Sequence, residues 1–351
     1  MIERYDDPAA LAVEWDDLAD QAEAPPFLRP GWIAAWIDAF GKGRPVVLAV
    51  RRDGRLAAVT ALLTRLAGVY SPANSHTPVF DLLALDRDAA DELADAVLAF
   101  GGHRLDLSFL DPDGQGFAAW RAATARRGIR TTAWEVARAP YVSLDGNWTD
   151  YRSSLERKFR KELERLDRRL ADSGHVEFVV DEGSPRWPEA LEEGLRIEGS
   201  GWKAESGTAI LSRPDTARFY RTVAAWAAKR GCLRLKFLRL DGRAVAFDLV
   251  LEAGGVAHVL KGGFDPELRR LGPGMLLTER SIRRAFELGL RSYELHGTDD
   301  AYKLRWTGTV RSRVKTQSFP RSVAGTLTYL AFDRGRSLYR RARGMPPAER
   351  L

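Results

Sequence analysis

Two stretches of the chain carry the same pattern of apolar and polar positions. Residues 46–63 read VVLAVRRDGRLAAVTALL, and residues 235–251 read LKFLRLDGRAVAFDLVL. Each is a pair of short apolar runs joined across Asp-Gly, the turn dipeptide that closes a two-residue β-hairpin. Upstream of each lies a helical segment with tryptophan, around Trp32–Phe40 and Phe219–Lys229. Helix and hairpin recurring in the same order predict a duplicated fold.

The remaining pattern fills in both halves. In the first, helices are expected near 8–22, 30–40, 87–100 and 115–127, with strands near 46–52, 56–66, 105–110 and 131–136. In the second, strands are expected at 176–181, 233–240, 243–252, 255–264 and 291–296, and helices at 187–198, 214–230 and 274–289. Between the halves, Leu155, Phe159, Leu163, Leu166 and Leu170 recur at helical spacing, predicting one connecting helix over 149–172 with an apolar face. Its charged remainder reads either as a solvated face laced with i,i+4 pairs or as a basic ledge. The tail from 320 mixes LTYLAF with RGRSLYRRARG, a docking helix or a membrane-surface helix.

Composition narrows the function. The chain has 351 residues, 45% of them apolar, which is enough for two domains with full cores. Its net charge of +6 suits anionic small ligands and is too modest to argue for nucleic acid. A single cysteine, Cys232, excludes an internal disulfide, and the five histidines lack metal-ligand spacing, so no metal is expected. The acidic N-terminus has no continuous apolar core of a secretory signal, and no apolar run is long enough to span a bilayer. A cytoplasmic setting is expected. High alanine, arginine and glycine usage hints at a GC-rich bacterial source.

One segment carries the chemistry. Residues 262–277 read GGFDPELRRLGPGMLL, after a strand pattern and before a helical one. A glycine turn feeding a helix N-terminus makes an anion site, because unpaired N–H groups and the helix dipole converge there. Arg269, Gly272 and Gly274 satisfy R-x-x-G-x-G. Pro273 cannot donate, so the expected donors are the N–H groups of Leu271, Gly272, Gly274 and Met275, with Arg269 and Arg270 alongside. The glycines also read, more plainly, as the end of a strand. No Walker lysine follows, and Leu277 stands where a dinucleotide fingerprint needs its third glycine.

This segment resembles the pyrophosphate-binding turn of the GNAT (GCN5-related N-acyltransferase) superfamily. With GWKAESGTAI at 201–210 and ELHGTDDAYKLRW at 294–306, it is similar to the CelD-like, Fem-related acetyltransferase group. The chain departs from that group's pattern in having two glycines, Gly262 and Gly263, between Lys261 and Phe264. The resemblance implies an α/β (α+β) fold of tandem GNAT-like lobes, each a mixed, mostly antiparallel sheet flanked by helices. It implies acyl-CoA as co-substrate, its pyrophosphate bound through 269–275 and its thioester in the gap between two splayed strands. It also implies Tyr302 as the acid that protonates the leaving thiolate; the plain alternative is an interfacial core tyrosine.

Other residues are weighed on their own chemistry. His258 is a candidate proton acceptor, or a hydrogen-bonded core histidine; strand alternation puts it on one face with Val256 and Leu260. Asp248, an acid in an apolar strand, either faces a cleft as base or acceptor-binding group, or pairs with a cation. Lys261 and Lys303 either hold an anionic substrate group or pair with acids such as Asp265. Trp202 and Lys203 either line the cleft or cap the surface, and the role of His296 is open.

The expected organisation is an N-terminal lobe over 1–148, degenerate and forming a wall of the acceptor cleft; a connecting helix over 149–175; a C-terminal lobe over 176–319 with the acyl-CoA site; and a basic tail over 320–351. The expected reaction is acyl transfer to a primary amine on an amino sugar, amino acid or peptide. The alternatives are a Fem-type transferase using aminoacyl-tRNA and a non-catalytic scaffold. Acyl chain, amine and oligomeric state stay open.

Overall fold

The computed structural model describes residues 1–200 and 209–342, the side chains of 333–342 excepted. Contacts divide it into two units, Met1–Ala137 with Ser312–Leu351, and Arg138–Arg311. The expected boundaries were 148 and 319. Strand pairing explains why the observed ones differ.

In the first unit, β1 (Ile2–Tyr5), β2 (Arg44–Arg52), β3 (Arg55–Arg65) and β4 (Gly68–Tyr70) pair antiparallel in that order. A short β5 (Leu83–Ala84) also pairs with β3. β4 then runs parallel to β6 (Leu105–Leu110), which pairs antiparallel with β13 (Val310–Phe319). The second unit repeats this order. β8 (Val176–Asp181), β9 (Leu233–Leu240), β10 (Arg243–Ala253) and β11 (Val256–Phe264) pair antiparallel. β11 then runs parallel to β12 (Ser292–Glu294), which pairs antiparallel with the end of β7 (Arg130–Ser143). The final strand of each sheet therefore comes from the other half of the sequence. β13, which the apolar pattern did not predict, returns to the first unit; β7 runs past its predicted end at 136 into the second.

The two Asp-Gly hairpins are equivalent in detail. Asp53 and Gly54 have φ of 49° and 76°, and Asp241 and Gly242 have φ of 50° and 80°. Two successive positive φ values make each a type I′ turn, whose twist matches the strands it joins.

Helices cover the sheets. In the first unit these are α1 (Ala12–Gln21), α2 (Pro30–Phe40), α3 (Arg87–Phe100) and α4 (Gln115–Arg126), with Leu93, Val97 and Trp120 packed against Val46, Leu48 and Leu107. The predicted connecting helix is two helices, α5 (Trp148–Ser154) and α6 (Arg157–Ala171), broken at Leu155, whose ψ is 151°. The Ser154 hydroxyl donates to the Tyr151 carbonyl at 2.7 Å and competes with the helix for its acceptors. The apolar face survives the break, since Leu155, Phe159, Leu163, Leu166 and Leu170 are all buried. The second unit is completed by α7 (Trp187–Glu198), α8 (Pro214–Lys229), α9 (Pro273–Glu287) and the short α10 (Ala301–Leu304). The tail forms α11 (Val323–Ala342).

Candidate acyl-donor and acceptor site

Strand β11 leads into the glycine turn. Asp265 starts a 3₁₀ helix over Pro266–Leu271, its Oδ1 accepting from Glu267 N–H at 3.0 Å, and its other oxygen pairs with Arg243. Gly272 then adopts φ 63°, ψ 38°, the left-handed region that favours glycine. A Cβ there would also press on Leu166 Cδ1, 2.7 Å away on α6. Gly272 N–H donates to the Arg269 carbonyl at 3.2 Å. That donor, expected to face a ligand, is consumed within the turn. Gly274 and Met275 are left in the first turn of α9, where N–H groups have no intrahelical acceptor. Arg269 and Arg270 are exposed beside them.

β11 and β12 are in register over three residue pairs, from Val256↔Ser292 to His258↔Glu294. β12 then stops, and the chain turns away at His296 and Gly297, both at positive φ, while β11 runs on to Phe264. The two strands thus part beyond His258, and the longer one ends at the helix N-terminus. A β-bulge at Leu260 breaks the expected alternation: Val259 pairs with Val250, but Lys261 pairs with the next residue, Leu249. A bulge bends the strand and re-aims the residues beyond it.

The two glycines that depart from the family pattern have a steric reason. A Cβ on Gly263 would meet the α7 backbone, 2.5 Å from Glu198 Cα. On the other face, a Cβ on Gly262 would collide with Asp248 Oδ1. Asp248 is 9% exposed and sits in a cross-strand row with Lys236 on one side and Gly262 on the other. Lys236 is fully buried, its Nζ 2.9 Å from Glu252 Oε1 and 5.6 Å from the Tyr293 ring centroid. Burial pulls the Lys236 ammonium below its ordinary range, against the pull of Glu252 and Asp248. Asp248 therefore has a buried cationic neighbour, one of the two surroundings that its sequence context allowed. Lys236 and Glu252 were not foreseen, although a lysine inside the apolar alternation LRLKFLRL was the available signal.

Tyr302 lies on α10 and is 61% exposed. Its phenol is raised above the ordinary tyrosine range by desolvation, then by the carboxylates of Asp300 and Asp248. It thus stays protonated at neutral pH and is a competent hydrogen-bond donor. Lys303, read either as a holder of a substrate anion or as a partner of acids, is engaged within its own loop. Its Nζ donates to the carbonyls of His296 at 2.9 Å and Thr298 at 3.0 Å, and pairs with Asp300 at 3.0 Å. Asp265 is likewise engaged, by its cap and its pair with Arg243.

His258 and His296 are both buried, with Nδ1 and Nε2 3.0 Å apart and ring planes 8° apart. Lys261 places its Nζ 5.7 Å from the ring centroid of Tyr220. Tyr220 is buried, its phenol raised by desolvation and by Glu198. Trp202 and Lys203 lie outside the described residues. Among the described residues no cluster of three or more His, Cys, Asp or Glu is placed to hold a metal ion.

Known proteins supply a frame for this geometry. Residues 157–304 match the family model described as an acetyltransferase (GNAT) domain. Among solved structures, FemX aligns with TM-score 0.62 at 14% identity, covering 93% of this chain and 99% of that one. The C-terminal domain (DUF2156) of a putative lysylphosphatidylglycerol synthetase from Agrobacterium fabrum aligns with TM-score 0.56 at 16% identity, covering 93% and 96%. A conserved protein of unknown function from Bacteroides thetaiotaomicron gives 0.59 at 12%, covering 91% and 100%. No curated protein sequence matches the chain. At these identities the structural matches establish the fold.

Proposed function

We propose, from the match of residues 157–304 to the acetyltransferase (GNAT) domain model, that the chain moves an acyl group from acyl-CoA to a primary amine. The observation that carries this reading is the parting of β11 from β12, with the longer strand ending at the glycine-started N-terminus of α9. The pyrophosphate of CoA would bind the N–H groups of Gly274 and Met275 with Arg269 and Arg270 outside them, the helix dipole favouring the anion. The thioester would lie along Val259–Phe264, whose backbone donors would steady the oxyanion.

The neutral amine nitrogen attacks the thioester carbonyl carbon. Asp248 accepts the proton that the nitrogen sheds. The C–S bond breaks, and the departing thiolate takes a proton from the Tyr302 hydroxyl. The acceptor is an amine on a small molecule or peptide.

Calorimetric titration with acetyl-CoA and longer acyl-CoAs tests the donor. The wild-type chain should bind, and Gly274→Glu should weaken binding by about tenfold or more, the worth of one or two charge-assisted hydrogen bonds. A wild-type chain that binds no CoA thioester overturns the acyl-CoA reading and brings an aminoacyl-tRNA donor forward.

A further inference from the structure

The tail helix α11 has two unlike faces. Gly325 is buried, a Cβ there being blocked by the Pro320 carbonyl. Tyr329 meets Phe319 edge-on at 5.4 Å between ring centroids and Phe332 meets it tilted at 5.5 Å, and the Arg130 guanidinium lies 5.1 Å over Tyr329. These residues fasten the helix to its own unit. On the outer face Val323, Leu327 and Leu330 are 81%, 62% and 43% exposed, and the exposed residues adjoining them on the helix are Ala324 and Ala331. Spacings of four and three make this a single stripe. Residues 322–332 contain no charged side chain. An outward face that is apolar throughout is a contact surface, not an ordinary solvated helix.

Charge says what it contacts. Between residues 320 and 351 seven arginines stand against two acids, Asp333 and Glu349, so five of the chain's six net positive charges lie in this segment. Arg334, Arg336, Arg340 and Arg341 follow the apolar stripe on the same helix, and Arg343 comes just after it. An apolar stripe continued by arginines suits an interface that is anionic at its surface and hydrocarbon beneath. Among the described residues no helix is long and apolar enough to cross a membrane, so the contact is lateral. We propose that α11 lies on anionic lipid, with Val323, Leu327 and Leu330 entering the acyl-chain boundary. An RNA partner fits the arginines but not the stripe, and a second copy of the chain fits the stripe but not the concentration of charge.

Co-sedimentation of the full chain with vesicles tests this without reference to catalysis or CoA. The chain should pellet with equimolar phosphatidylcholine and phosphatidylglycerol and stay in solution with phosphatidylcholine alone. Leu327→Glu/Leu330→Glu should lower the anionic partition by about tenfold or more, given the apolar area withdrawn. Both positions are exposed, so the fold should hold, and an unchanged melting curve checks this. Added salt should weaken the wild-type binding. The proposal fails if the wild-type chain ignores anionic vesicles or if the double variant pellets equally well. It also fails if the double variant abolishes a dimer seen by sedimentation velocity while no vesicle binding occurs, which would give the stripe to a second copy.

Discussion

Asp248 and Gly262 face each other across the β10–β11 ladder, and the Asp248 carboxylate fills the volume that any side chain at 262 would need. The glycine is thus part of the carboxylate's binding site within the protein. Gly262→Ala should push Asp248 out of its row with Lys236 and lower acyl transfer by about tenfold to a hundredfold, the scale of losing a positioned base. The overpacking should cost about 1–3 kcal/mol of stability. Steady-state kinetics beside CoA titration checks this; unchanged turnover would falsify the role given to Asp248.

Tyr302 supplies the pH signature. Its phenol is raised above the ordinary value, so the acid form persists as pH rises and is lost only above that value. The alkaline limb of kcat/KM should therefore not begin below about pH 10 on account of this residue. Tyr302→Phe should lower kcat by about a hundredfold. A pH–rate profile of both forms decides it: a wild-type loss near neutral pH that vanishes in the variant contradicts the assignment.

Lys236 is fully buried against Glu252, which also pairs with Arg234 at 3.0 Å. Removing one partner of a buried ion pair leaves the other charge poorly compensated, and Lys236→Met should cost about 3–5 kcal/mol, moderated by Arg234. Adding Glu252→Gln should recover part of that loss. Urea unfolding of the single and double variants measures both, and a single-variant cost under about 1 kcal/mol would mean that the pair is of little consequence.

The paired hairpins make a matched test of the duplication. Gly54 and Gly242 hold φ of 76° and 80°, and a Cβ at either would touch nothing within 4 Å. Alanine at each should therefore cost backbone strain alone, about 1–2 kcal/mol. Similar losses in denaturant unfolding support equivalent turns; a loss at one site only would show that the repeat is not energetically symmetrical.

Much of this protein was legible in its sequence because local chemistry determines it. Asp-Gly forces positive φ at two successive residues, so both hairpins could be placed, and the five apolar positions of 155–170 all proved buried. The glycine turn was legible for the same reason: Gly272 has a conformation that other residues resist. Tertiary structure decided what depends on register and on partners distant in sequence. A two-residue turn read forward would pair Lys236 with Phe247; a bulge at Val245 shifts the ladder by one and sets Lys236 opposite Asp248 instead. A second bulge at Leu260 undoes the alternation expected around His258. Lys303 could be read from the sequence as a partner of acids or of substrate, and its engagement with His296, Thr298 and Asp300 became visible only in the folded loop. The exchange of β7 and β13 had no local signature, because a strand's partner is chosen by the edge left open to it and not by its own pattern of apolar residues.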